Sequence, residues 1–168
     1  MAETLNLPLK RHLGCAKILW CMDKFMKAAL VEAKKAFDIG EVPIGAVIVR
    51  DGEILSKGHN LTEFAKDPTA HAELIAIREA ASKLGTPRLA GCSMYVTVEP
   101  CSMCAGALLW ARIEKLYIGA MDKKAGACGS VFDIVDSPKL NHRIVVETGI
   151  MEEECVEIMQ RFFRNLRI

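Results

Sequence analysis

The chain has 168 residues, of which 51% are hydrophobic and 26% are charged, so it is long enough to bury a core and is not an intrinsically disordered protein. Lys and Arg number 22 against 21 Asp and Glu, and the resulting net charge of +1 excludes a uniformly basic protein that coats nucleic acid. No apolar run approaches the roughly 20 residues that a membrane-spanning helix needs.

The first 21 residues differ from those that follow. They contain Pro8, Gly14 and a small basic group, and their hydrophobic residues follow no period. From Met22 to Gly40, apolar residues recur at the spacing of an amphipathic helix. We therefore expect one folded domain over residues 22–168, preceded by an extension over residues 1–21. That extension is either a loosely ordered arm or the product of a start codon assigned upstream of Met22.

The next elements are two strands and a helix. Residues 44–49 are apolar throughout and predict a strand buried on both faces, and Asp51-Gly52 predicts a hairpin turn into a second strand over residues 53–59. A polar loop follows, and then a helix that begins at His71 and ends at Gly85. The apolar residues expected on its inner face are Leu74, Ile77, Ala81 and Leu84.

The second half of the chain continues this alternation. Strands are predicted at residues 94–98 and 116–120, with a helix from Cys101 to about residue 112 between them. Residues 121–142 form a long glycine-rich segment, with a short helix expected over residues 130–135, and residues 143–147 predict an edge strand. The last helix places Cys155, Met159, Phe162 and Leu166 on one face. This order predicts an α/β fold of three α/β/α layers, with a mixed five-stranded sheet between helices.

Two short motifs carry metal-binding chemistry. His71-Ala72-Glu73 opens one predicted helix, and Pro100-Cys101-Ser102-Met103-Cys104 opens the next one, directly after a strand. One imidazole and two thiolates can hold a zinc ion and leave a fourth position open. We expect His71, Cys101 and Cys104 to bind one Zn²⁺ per subunit and Glu73 to be the catalytic proton shuttle, because this pattern is typical of zinc-dependent nucleobase deaminases.

A redox role for Cys101 and Cys104 is the weaker interpretation, since it leaves His71 and Glu73 without a function. The other cysteines are interpreted as reduced and structural: no secretory signal precedes them, and Cys92, Cys128 and Cys155 fit a core or a pocket rim. One constraint applies to the histidine motif. Positions i and i+2 of a helix point about 200° apart, so His71 and Glu73 can share a pocket only at the helix entry.

Several further segments resemble the bacterial tRNA-specific adenosine deaminases, within the cytidine deaminase-like superfamily. The similarity covers residues 22 to the C-terminus. The matching segments are GEVPIGAVIV (40–49), GHN (58–60), DPTAHAE (67–73), MYVTVEPCSMCAGAL (94–108), ARIEKLYIGA (111–120), GACGS (126–130), NHR (141–143) and RFFRNLR (161–167).

The resemblance implies hydrolysis of the wobble adenosine of a tRNA anticodon loop to inosine, chiefly in an arginine tRNA, by a cytoplasmic homodimer. It implies that Asn60 hydrogen-bonds the flipped adenine, and that other residues contact the RNA. These are Asp122, Lys124, Asn141, His142 and Phe163. Local cations at Lys123, Lys124, Lys139, Arg143 and Arg164 would serve the RNA backbone. The apolar residues Met103, Ala107, Leu108 and Trp110 fit either a dimer face or the core.

Two alternatives remain at this stage. A free-base deaminase acting on guanine or cytosine would use the same zinc chemistry, and a catalytically silent subunit could bind RNA through the same fold. The retained Glu73 speaks against the silent subunit, which has no need of a proton shuttle.

Overall fold

The computed structural model describes the backbone of residues 12–166 and the side chains of residues 23–166. Within this part of the chain the helices are α1 (His12–Asp38), α2 (Thr62–Ala65), α3 (Ala72–Leu84), α4 (Ser102–Trp110) and α5 (Glu152–Asn165). The strands are β1 (Gly45–Arg50), β2 (Glu53–His59), β3 (Cys92–Val98), β4 (Lys115–Ala120) and β5 (Val145–Thr148). Among the described helices, none is both long and apolar enough to cross a membrane.

The strands form one mixed sheet in the order β2-β1-β3-β4-β5. β1 is antiparallel to both of its neighbours, whereas β3, β4 and β5 run parallel. Alternating side chains of the central strands therefore point to opposite faces. On one face, Ile48 and Met94 pack with α3 and α4, and on the other, Val47 and Tyr95 pack with α1 and α5. The predicted three-layer α/β/α fold is confirmed.

Most predicted boundaries agree with the structure, and the Asp51-Gly52 turn has positive φ at both residues, as a tight hairpin requires. Helix α1 begins at His12 rather than at Met22. The separate status of residues 1–21 stays a prediction, and residues 1–11 lie outside the described part of the chain.

The structure differs from the prediction in several details. Residues 130–135 form turns and no helix. The fully buried residues of α3 are Ala72, Glu73, Ala76 and Ala80, and the expected inner-face residues Ile77, Ala81 and Leu84 are partly buried and pack against the same core. Leu166, expected on the same face of the last helix as Cys155 and Phe162, is 65% exposed, whereas those two side chains are buried. The short helix α2 was expected to be loop.

Candidate metal centre and active site

The sheet topology brings three of the predicted site segments together where the strands end. We call this side of the sheet, formed by the carboxyl ends of β2, β3 and β4, the sheet edge of the site. β2 and β3 are both antiparallel to β1, and β4 is parallel to β3, so β2, β3 and β4 all end at the same edge. Asn60 directly follows β2, Cys101 follows β3 and Asp122 follows β4. Ligand sites of α/β sheets are typically found outside the carboxyl ends of strands.

Two helices begin at this edge, each at a predicted metal ligand. His71 is the N-cap of α3 and Cys101 is the N-cap of α4, and both have extended backbone conformations. Cys104 follows within the first turn of α4. Since the positive ends of two helix dipoles meet here, the site favours anionic ligand atoms such as thiolates.

The spacing of the donor atoms fits a tetrahedral metal ion. The Nδ1 atom of His71 lies 3.8 Å from the Sγ atom of Cys101 and 3.6 Å from that of Cys104. Zinc bonds of about 2.0 Å to nitrogen and about 2.3 Å to sulfur would separate such atoms by about 3.5 Å at tetrahedral angles. Among the described residues, these three form the one group of His, Cys, Asp or Glu side chains whose ligand atoms could hold a metal ion, all lying within 4.8 Å of one another. The residues present therefore fit a zinc ion.

The protonation of the cluster favours a cation as well. Hydrogen bonds from the Cys104 thiol and from His71 lower the pKa of Cys101 to about 4. The hydrogen bond between the two cysteines is the main cause that raises the pKa of Cys104, and burial is the second cause. The hydrogen bond between His71 and Cys101 raises the pKa of His71. The Cys101 sulfur is thus a thiolate at neutral pH and is ready to bind a metal.

Glu73 lies against this cluster in a nearly dry environment. It is 3% exposed, and its Oε2 atom is the one buried side-chain oxygen or nitrogen without a hydrogen-bond partner in the described chain. Burial raises the pKa of its carboxyl group, and Cys104 and His71 are close enough to influence it. His71 and Glu73 share the pocket because both lie at the entry of α3, as the spacing required. An orphaned, buried carboxylate beside three metal donors can accept and release protons.

Asn60 is held in place by a glutamate that sequence reasoning missed. Its Nδ2 atom donates to the Oε2 atom of Glu41 at 3.0 Å and to the hydroxyl of Thr62 at 3.1 Å. Glu41 is 2% exposed and also accepts the backbone N–H of Phe64 at 2.7 Å. Within the described chain no hydrogen bond occupies the Oδ1 atom of Asn60, which leaves that atom available to a ligand. The signal in the sequence was Glu41 itself, an acidic residue between Gly40 and the apolar residues that lead into β1.

Asp122, Lys124 and Phe163 are brought together around one groove. The groove has a volume of about 660 Å³, lies between α5 and the segment after β4, and is also lined by Arg164. The Oδ1 atom of Asp122 accepts the backbone N–H of Lys124 at 2.8 Å, which fixes the start of this segment. Phe163 is 45% exposed. Apolar walls with two cations suit a single-stranded nucleic acid.

Asn141 and His142 lie elsewhere. They precede β5, which is parallel to β4, so they are at the opposite edge of the sheet. The Nε2 atom of His142 contacts the carbonyl oxygen of Ile113 at 2.6 Å, and Arg112 donates to the carbonyl of Asn141 at 3.3 Å. The structure therefore does not bring these two residues to Asn60 and Asp122 within one chain.

The other cysteines, Arg143 and the apolar residues of α4 differ in burial and pairing. Cys92, Cys128 and Cys155 are buried in the core, as expected. Arg143 forms an ion pair with Asp136, so its charge is largely compensated. Leu108 is buried in the core, whereas Met103 and Trp110 are exposed, Trp110 by 85%.

Comparisons with known proteins agree with this geometry. Residues 22–167 match the sequence model of the MafB19-like deaminases. The tRNA-specific adenosine deaminase of Aquifex aeolicus (strain VF5) is 55% identical over 143 residues, covering 85% of this chain and 94% of that protein. A solved structure from a study of A-to-I editing by tRNA:A34 deaminases at the wobble position is 47% identical, with a TM-score of 0.78 over 80% of this chain and 98% of the other. A guanine deaminase structure from Bacillus subtilis is 34% identical, with a TM-score of 0.58 over 85% and 93% of the two chains.

Proposed function

The chain belongs to the MafB19-like deaminases and to the tRNA-specific adenosine deaminases, and on that premise we propose that it converts the wobble adenosine of a tRNA anticodon loop to inosine. The reaction consumes water and releases the 6-amino group as ammonia. The observation that carries the chemistry is the unpaired, buried Glu73 carboxylate beside the His71, Cys101 and Cys104 donors. The identity of 55% to a tRNA-specific enzyme carries the choice of substrate.

One Zn²⁺ per subunit is the metal that this donor set favours, held by His71, Cys101 and Cys104. When bound, zinc supplies Lewis acidity and lowers the pKa of a water to about 7. The imidazole of His71 and the sulfur atoms of Cys101 and Cys104, which lie at the entry of two helices, would hold the ion.

Glu73 moves the protons of the reaction. Its carboxylate takes a proton from the attacking water and delivers it to N1 of the adenine ring, while the water oxygen bonds to C6. It then carries the second proton to the departing amine, so that ammonia leaves and the C6 carbonyl of inosine forms. The direction of the pKa shift of Glu73 suits this role, because burial favours the protonated carboxyl group and so makes the carboxylate a stronger base.

The RNA is bound at the same sheet edge. Asn60 contacts the extruded base, and the groove with Asp122, Lys124 and Phe163 takes neighbouring nucleotides of the loop. An anticodon-loop base is already single-stranded, so extruding it costs less than extruding a base from a duplex. Asn141 and His142 are assigned to more distant RNA contacts, since they lie at the opposite edge.

We further propose a cytoplasmic homodimer that acts on an arginine tRNA. The exposed side chains of Met103 and Trp110 on α4 support an interface there, because isolated domains seldom leave a tryptophan 85% exposed beside other apolar residues. A second copy of the chain is the occupant we assign to this surface.

A substrate panel tests the function. Zinc-loaded protein is given an arginine-tRNA anticodon stem-loop, the same stem-loop with its adenosine moved one position from the wobble site, free guanine and free cytosine. We expect ammonia and inosine from the first substrate alone, and neither from the Glu73→Ala variant. Turnover of guanine or cytosine with an untouched stem-loop would establish a free-base deaminase instead. Zinc binding without any turnover would favour the silent subunit.

A further inference from the structure

Glu99 is a buried carboxylate that the proposed reaction does not use. It lies between the end of β3 and the metal ligand Cys101 and is 4% exposed. Within the described chain no lysine, arginine or histidine forms an ion pair with it. A buried charge without a cationic partner is costly unless hydrogen bonds satisfy it.

Three backbone N–H groups of one segment supply those hydrogen bonds. The Oε1 atom of Glu99 accepts from Cys128 at 2.9 Å and from Ser130 at 3.1 Å. Its Oε2 atom accepts from Asp122 at 2.9 Å. The donors come from both ends of the segment 122–130, so a single side chain joins the two ends of this segment.

The rest of the segment folds around the same carboxylate. The Ser130 hydroxyl donates to the carbonyl of Asp122 at 2.6 Å, and the N–H of Gly126 donates to it at 2.9 Å. A Cβ atom at Gly126 would overlap the carboxylate of Glu99, so glycine is required there for the close approach. The observed conformation of the segment is therefore built around the Glu99 carboxylate.

The backbone of Glu99 and its neighbours is tied to the metal centre. The N–H of Glu99 donates to the carbonyl of Ala120 at 2.8 Å, and that of Ala127 donates to the carbonyl of Pro100 at 2.9 Å. Cys101 forms an isolated bridge with Gly126. The segment that carries Asp122 and Lys124 is thus fixed against the turn that carries a metal ligand.

We propose that Glu99 is a positioning residue for RNA recognition, which sets Asp122 and Lys124 at a fixed distance from the metal centre. This inference rests on the proposed function, since it assigns these two residues to the RNA. A carboxylate is required, because all three partners are donors. Glutamine would replace one accepting oxygen with an NH₂ group that faces an N–H donor.

The test is Glu99→Gln in the zinc-loaded enzyme. We expect KM for the anticodon stem-loop to rise about tenfold or more, because hydrogen bonds to a charged acceptor are lost, while kcat stays within about threefold. Zinc stoichiometry stays at one per subunit. Amide hydrogen exchange accelerates in residues 120–131 and is unchanged in α4.

Glu114→Gln is the matched control. Glu114 is also a glutamate that accepts a backbone N–H, from Gly91 at 2.8 Å, but it is exposed and lies at the opposite edge of the sheet. We expect its KM, kcat and exchange pattern to equal those of the wild-type protein.

A purely structural role for Glu99 would give a different result. Zinc content, kcat and thermal stability would then fall together, and that outcome, or unchanged exchange in residues 120–131, overturns the proposal. Should Glu99→Gln not fold, Glu99→Asp keeps the acceptor charge at a shorter reach, and an intermediate rise in KM is expected. If the wild-type protein does not deaminate the stem-loop, the proposed function fails, and the exchange measurement still decides whether Glu99 fixes the segment.

Discussion

Glu73 occupies a position that is unfavourable for stability and necessary for the proposed chemistry. Its carboxylate is buried, one of its oxygens has no partner, and burial raises its pKa. Buried charged groups without full hydrogen bonding destabilise a fold, so a residue placed in this way is a candidate for function.

Replacing this carboxylate separates activity from stability. We expect Glu73→Gln to lower kcat by about 10²–10⁴, because a positioned proton shuttle contributes that much, and not to lower the thermal midpoint, because the buried charge is gone. Stem-loop deamination and calorimetry on zinc-loaded protein measure the two effects.

Glu79→Gln is the control for this prediction. Glu79 is on the same helix, and its exposed ion pair with Lys83 is worth little in water, so activity and stability should stay near wild type. A Glu73→Gln enzyme with more than a tenth of the wild-type kcat would remove Glu73 from the mechanism.

Two glycines position the helices on the opposite faces of the sheet. A Cβ atom at Gly58 of β2 would overlap the carbonyl oxygen of Ala72 in the first turn of α3, between the proposed metal ligand His71 and Glu73. A Cβ atom at Gly45 of β1 would overlap the backbone of α1, which carries no site residue. The two positions are on adjacent strands and differ in which helix they hold.

Alanine at these glycines provides a matched pair. Both Gly58→Ala and Gly45→Ala should destabilise the fold by about 1–3 kcal/mol through overpacking. Only Gly58→Ala should also weaken zinc binding, by about tenfold or more, because α3 moves with His71 at its start. Denaturant unfolding of metal-free protein and competition with a zinc chelator measure these effects. Equal zinc affinities in the two variants would contradict the coupling between α3 packing and the metal site.

Elements with local signals could be predicted from the sequence. The Asp51-Gly52 dipeptide predicted the hairpin turn and Gly85 predicted the end of α3, and all three residues have positive φ in the structure. Elements that depend on contacts with residues distant in sequence could not be predicted. Residues 130–135 form no helix because the N–H groups of Val131 and Phe132 donate to the carbonyl of Gly126 and that of Ile134 donates to Ala127, and α2 forms where Glu41 accepts the N–H of Phe64.

The metal motif could be predicted because its spacing alone determines the chemistry. His71 and Cys101 both prove to be N-caps, and their donor atoms meet at the distances of a tetrahedral site. The contacts of Glu41 with Asn60 and Thr62 could not be predicted, because they join residues about 20 positions apart in sequence. The location of Asn141 and His142 at the far edge follows only from the parallel pairing of β5.

On the scale of the whole molecule, a zinc ion held by His71, Cys101 and Cys104 would join the N-termini of α3 and α4. We expect zinc at about 100 times its Kd to raise the thermal midpoint by about 5–10 °C, since binding at that excess adds about 2.7 kcal/mol to the stability of a chain of this size. Excess chelator should reverse the shift and abolish deamination. His71→Ala should show no zinc-dependent shift, and a shift equal to that of the wild-type protein would place the ion elsewhere.

The net charge of +1 means that RNA affinity must come from a few local cations. Lys124 and Arg164 line the groove beside Phe163, whereas Arg143 is already paired with Asp136. With about three phosphate contacts to a single strand, stem-loop affinity should fall about 10- to 30-fold between 50 and 200 mM salt.

The salt dependence also identifies the contributing residue. Lys124→Ala should make the slope of log affinity against log salt shallower by about 0.7, the value for one phosphate contact with a single strand. Lys27→Ala, which removes an exposed cation of α1, should leave the slope unchanged, because α1 does not line the groove. Fluorescence anisotropy with a labelled stem-loop and the inactive Glu73→Gln protein measures both. Equal slopes in the two lysine variants would mean that the RNA backbone does not pass along this groove, although the chemistry at Glu73 would be unaffected.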